Sequence, residues 1–230
     1  MVLNVMFAKL AIVALAAAAV SGQITSNVTI AEVEQAFMAA RIVPDVIPTF
    51  APPGLLDVVF FDDVTDTNIM VTPPGLTLTR EQTAMRPTVF LTSNDTALAA
   101  PQTFVLAMID PDAPTPENPT AAQFRLLLAP NMTLSGSLAE GAMLVNNTPA
   151  ITDFLRPNPP AGSDPHRFIL LLFAQPTNFS QVVQGIVNAS TPRNGFNISA
   201  FAMQTALGSP VGGNFFLTGP DDTTTVRFDV

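Results

Sequence analysis

Apolar residues follow two different periods along this 230-residue chain. Ile30, Val33, Phe37 and Ala40 recur three or four positions apart, which predicts an amphipathic helix stopped by Pro44. From Phe50 onward the texture changes to short apolar runs bounded by proline, glycine, Asp or Asn. LLDVVFF (55–61), TNIMV (67–71), RPTVFLT (86–92), TFVLAMI (103–109), FRLLLAP (124–130) and RFILLLFAQ (167–175) each have strand length. The last three are continuously apolar, as strands covered on both faces should be. NFSQVVQGIVNA (178–189) and FNISAFAMQTALG (196–208) return to helical spacing, the second opened by Phe196 and ended by Gly208. The pattern predicts a mostly β fold with a few peripheral helices. Its 22 prolines imply long, rigid connections.

The N-terminus follows neither rule. One lysine, Lys9, precedes an uncharged run from Leu10 to Val20 and the small residues Ser21 and Gly22. That run is too short to span a bilayer and has the form of a secretory signal peptide. We therefore divide the chain into a signal peptide, 1–22, cleaved near Gly22–Gln23, and a single domain, 23–230, with no stable membrane insertion after cleavage. Seven Asn-x-Ser/Thr sequons, at Asn27, Asn94, Asn131, Asn146, Asn178, Asn188 and Asn197, fit a secreted glycoprotein. Eight arginines then face 18 acidic residues, a net charge of about −10. Such a balance repels nucleic acid, so no nucleic-acid partner is expected.

The inventory of reactive side chains is short. There is no cysteine and one histidine, His166, which excludes thiol chemistry and zinc sites built on several His or Cys ligands. A Ser-His-Asp hydrolase would need His166 as its base; Ser163 and Asp164 lie near it, but no G-x-S-x-G elbow exists. Asp110, Asp112 and Glu117 are a conceivable calcium set, although prolines break the spacing of known loops. No metal, no cofactor and no enzymatic activity are expected. His166 and Arg167 open a strand and should point to opposite faces. Arg167 needs a carboxylate, and Asp110 or Asp112 can supply it if the two strands are neighbours.

The loop DPDAP (110–114) and the downstream stretch NPPAGSDPHRF (158–168) together resemble the phosphatidylethanolamine-binding proteins. That family includes the Raf-kinase inhibitor proteins, the plant flowering regulators and a yeast carboxypeptidase inhibitor. VPDVIPTFAPPGLLDVVF (43–60), PTVFL (87–91) and GFNISAFAMQTALGSPVGGNFF (195–216) extend the resemblance over almost the whole mature chain, as a secreted, fungal-type member. The resemblance implies an all-β fold class: a large antiparallel sheet packed on a smaller sheet, with α-helices at the edges. It also implies an anion pocket for phosphate-like head groups. Carried over by position, that pocket comprises Asp110, Pro111, Asp112, Pro160 and His166, with Arg167 and Asp112 as a structural ion pair.

Two positions depart from the family pattern. Leu126 stands where a second histidine usually borders the pocket, and Phe168 replaces the tyrosine of the His-Arg-Tyr motif. Arg125, one residue away, should face the other side of its strand. With fewer donors, phosphate should bind weakly or not at all. The expected function is a secreted, non-enzymatic binding protein that takes a phospholipid head group, a small apolar ligand or a protein partner. The alternative is a secreted inhibitor of a carboxypeptidase or serine protease, acting partly through the helix at Ile30–Arg41.

Overall fold

Alternation along the central strands is what builds this fold. In β5 (Phe104–Asp110), Val105, Ala107 and Ile109 point to one face and Phe104, Leu106 and Met108 to the other; every residue of the strand is buried. The same split holds in β8 (His166–Ala174), where Ile169, Leu171 and Phe173 oppose Phe168, Leu170 and Leu172. The computed structural model describes residues 26–221, and the predicted signal peptide lies outside them.

The remaining strands are β1 (Leu55–Asp62), β2 (Thr67–Met70), β3 (Leu76–Thr77), β4 (Thr88–Thr92), β6 (Phe124–Ser135), β7 (Ala142–Asn146) and β9 (Gly212–Thr218). They form one nine-stranded sheet in the order β2-β1-β4-β7-β6-β5-β8-β9-β3, antiparallel throughout except for the parallel β3–β9 pair. The sheet curls until its two halves face each other. Gly212 of β9 lies against Leu56 of β1, and the Asn214 amide donates to Leu56 O and Val71 O at 3.0 and 3.2 Å. The expected mostly β architecture with peripheral helices is present, built on one large curled sheet.

One core fills the curl, centred on Val58, Phe60, Leu91, Leu106, Met108 and Phe168. A second core lies between the outer face of β5, β8 and β9 and the helices. These are α1 (Ile30–Ala39), α2 (Ile42–Asp45), α4 (Phe179–Val183) and α5 (Ile198–Gln204); α3 (Thr96–Ala99) caps the other side. Phe37 of α1 stacks on Phe50, with centroids 4.0 Å apart, and meets the edge of Phe215. A capping box between Thr29 and Glu32 starts α1, satisfying two otherwise unpaired groups of the first turn. Arg41, at φ 55°, turns the chain out of the helix before Pro44 is reached. The helix expected over 178–189 forms only at Phe179–Val183, followed by turn residues at 184–186.

Candidate functional site

The two loops singled out in the sequence meet because β5 and β8 are antiparallel neighbours, pairing Ile109 with Ile169. Asp110 is the last residue of β5 and His166 the first of β8. Their side chains share the face that looks into the curl, and the His166 Nδ1–H donates to Asp110 Oδ2 at 2.8 Å. Asp110 Oδ1 accepts from the Asp112 N–H, also at 2.8 Å, which fixes the carboxylate's orientation. Both residues are buried, His166 being 1% and Asp110 6% exposed. Burial pushes the Asp110 carboxyl above its ordinary value, while hydrogen bonds from His166 and the Asp112 backbone pull it back.

His166 Nε2 is bonded as well. It lies 2.9 Å from Ser163 Oγ, whose proton has a second acceptor, Asp164 O, at 2.8 Å. An imidazole has two hydrogen-bonding positions, and here both are used within the protein. The ring lies almost parallel to Phe168, which in turn stacks on Phe216.

One residue along, the opposite face carries the ion pair. Arg167 donates from Nε to Asp112 Oδ2 at 2.9 Å and from Nη2 to Oδ1 at 2.6 Å, while its Nη1 reaches Ala40 O at 2.7 Å. Asp112 Oδ2 also accepts the Arg167 backbone N–H at 2.7 Å. This pair ties the DPDAP turn and the end of α1 to β8. Pro111, Asp112 and Arg167 line a cavity of about 480 Å³ on this helix side, together with Asp45, Gln123 and Phe196. The residues read as one pocket are thus divided between two faces of the sheet. Asp110 and Asp112 turn away from each other, so the conceivable calcium set with Glu117 is not assembled.

Leu126 and Phe168 are 2% and 1% exposed and belong to the core inside the curl. The β5–β6 register jumps between Met108↔Leu127 and Ile109↔Arg125, which leaves Leu126 as the extra residue of a β-bulge. Arg125 does face the other way, with its guanidinium 4.9 Å from the Phe196 ring and Nε bonded to Thr152 Oγ1 at 2.7 Å. Pro160 is exposed in the loop before β8, and its carbonyl accepts the Ser163 N–H.

Three polar groups near this end of the sheet carried no signal in the sequence. Thr218 stands directly opposite His166 in the β8–β9 register; it is fully buried, and its Oγ1 has no hydrogen-bond partner among the described residues. Arg80 bonds Asn158 of the loop before β8 and pairs with Asp221 at 2.8 Å, beyond the end of β9. Their ladder register and tertiary pairing, not their spacing, bring them here.

The phosphatidylethanolamine-binding protein family model matches residues 64–216, a span that contains both loops. The chain belongs to this family. Over 182 residues it is 33% identical to a 26 kDa secreted antigen of Toxocara canis, an alignment covering 78% of this chain and 62% of the antigen. It therefore spans less than two thirds of that relative's length. Among solved structures it resembles a carboxypeptidase Y inhibitor complexed with its cognate proteinase, at 28% identity and a TM-score of 0.62, covering 81% of this chain and 94% of the other. A phosphatidylethanolamine-binding protein from Plasmodium vivax shares the fold at 17% identity and a TM-score of 0.59, covering 81% and 96%.

Proposed function

We propose that this family member is a secreted, non-enzymatic binding protein whose Asp110–His166 site accepts a lipid-like head group or a protein partner at the rim of the loop before β8. The observation that carries this reading is the buried Asp110–His166–Ser163 chain, held where the two motif loops converge. Both ring nitrogens already serve structure, so His166 is suited to holding a recognition loop in place rather than cycling protons. Leu126 and Phe168 make the surroundings apolar, which favours a ligand with hydrocarbon next to its polar group. Glycans belong to the same reading: six sequon asparagines are exposed, while Asn131 is half-buried and its amide donates to Thr148. The test is mass spectrometry of lipids and proteins that co-purify from culture medium with the wild type and with His166→Ala. Species lost from the variant are expected; identical profiles would overturn the assignment.

The likeness to the carboxypeptidase Y inhibitor supports a second reading, inhibition of a secreted protease. Deleting Ile30–Arg41 would not test it cleanly, because Phe37 is fully buried between Phe50 and Phe215 and its removal opens the core. Met38→Glu on the exposed face of α1 is the better probe. Inhibition of a carboxypeptidase that survives this change at full strength counts against a role for the helix.

A further inference from the structure

We propose that Ser163 is a built-in occupant of the anion position on His166, and that Thr218 is the second donor a phosphate-type ligand meets once Ser163 moves aside. This rests on the site reading above and goes beyond it by naming what decides the ligand.

The geometry has three parts. First, Ser163 Oγ lies 2.9 Å from Nε2, the only position on the ring that Asp110 leaves free. An anionic oxygen can bond His166 there only by displacing the serine. Second, Ser163 sits in a loop that can yield without unpairing a strand. Pro160, Ala161 and Gly162 are exposed, Gly162 has φ 83°, and no atom lies within 4 Å of where its Cβ would be. The hydrogen bonds that Ser163 makes besides the one to His166 stay inside the loop, to Pro160 O and Asp164 O, so they can move with it. The Ser163 hydroxyl proton already has Asp164 O as an acceptor, so the serine keeps a hydrogen bond within the loop when it leaves the ring.

Third, Thr218 faces His166 from the neighbouring strand. Directly opposed residues place their Cβ atoms ~5 Å apart on one face of the sheet. A buried hydroxyl without a partner is uncommon, because it forgoes its bonds to water with no replacement. Beside the one histidine, it supplies a donor where Leu126 and Phe168 supply none. The carboxylates nearby are Asp110, bonded to His166, and the exposed Asp164 and Glu117 at the loop surfaces. They oppose an anion, and the serine adds to that opposition.

Because His166 is the only histidine, its ring nitrogens give an unambiguous ¹⁵N NMR signal. Inorganic phosphate and O-phosphoethanolamine would be titrated, by calorimetry and by this signal, into the wild type, Ser163→Ala, Ser163→Thr, Ser163→Ala/His166→Ala and Ser163→Ala/Thr218→Val. Ser163→Ala should bind phosphate at least tenfold more tightly than the wild type and shift the His166 signal on binding. Ser163→Thr, which keeps the hydroxyl, should behave as the wild type, and both double variants should lose most of the gain. A tenfold preference of Ser163→Ala for phosphoethanolamine over phosphate would point to a lipid head group as the source; equal affinities, to free phosphate. Thermal melts of each variant verify folding. Ser163→Ala binding phosphate no better than the wild type, or a gain that survives loss of His166, overturns the proposal. If His166→Ala leaves the co-purified species unchanged, the site reading itself fails; if those species change but Ser163→Ala gains nothing, only the serine proposal falls.

Discussion

Arg167 and Asp112 form a two-pronged ion pair, with contacts of 2.6 and 2.9 Å, on the opposite side of the sheet from His166 and Asp110. Two adjacent residues of β8 thus bind two residues of one turn, each on its own face. Both pairs depend on the β5–β8 register, since a one-residue slip would exchange the faces and strand both charges.

Asp112→Ala should therefore be the most damaging change outside the apolar core. It leaves a part-buried guanidinium with only Ala40 O to satisfy it, and loss of one member of a buried pair costs about 3 kcal/mol or more. Urea unfolding of Asp112→Ala and Arg167→Ala checks this; a loss below about 1 kcal/mol, the range of surface pairs, would show that the pair is not structural.

Asp57, on β1, is 3% exposed, and its Oδ2 has no hydrogen-bond partner among the described residues. Burial raises its carboxyl above the ordinary value, partly offset by hydrogen bonds from Ser26. A raised folded-state pKa means that the protonated form is favoured by folding. The contribution is fully present below the unfolded pKa, ~4, and is lost as pH rises through the folded value. Asp57→Asn should thus match the wild type near pH 3.5 and become the more stable protein towards pH 7. Denaturant midpoints measured across that range should diverge with rising pH; parallel curves would refute the assignment.

Gly213 lies beneath the aromatic pair that docks α1. A Cβ there would stand 3.0 Å from both Phe37 and Phe50. Gly213→Ala should cost about 1–3 kcal/mol by overpacking and loosen α1 first. Hydrogen exchange is the readout: faster exchange in Val33–Ala39 with an unchanged β5–β8 pair is the expected pattern.

Thr218→Val removes a buried hydroxyl that bonds nothing among the described residues, while keeping the side chain's shape. Stability should rise by about 1 kcal/mol, the penalty such a group carries. A lower melting temperature would mean that the hydroxyl has a partner in solution.

Much of this protein was legible in the order of its residues. Continuous apolar runs located β5, β6 and β8, because strands covered on both faces cannot alternate with polar residues. The period of two placed His166 and Arg167 on opposite faces and Arg125 opposite Leu126. The paired DPDAP and DPHRF motifs pointed to the family that the comparisons establish. Short elements escaped: β3 has two residues and β7 forms by pairing with β4 and β6, so neither has a local pattern strong enough to read. Residue pattern left open whether Asp110 or Asp112 meets Arg167, and the tertiary structure pairs Asp110 with His166 and Asp112 with Arg167. It also put Ser163 on Nε2, made Leu126 a bulge and brought Thr218 opposite His166. Sequence fixes the direction in which a side chain leaves its strand through local sterics. What that side chain meets depends on the register of strands far apart in the chain, which only the assembled sheet defines.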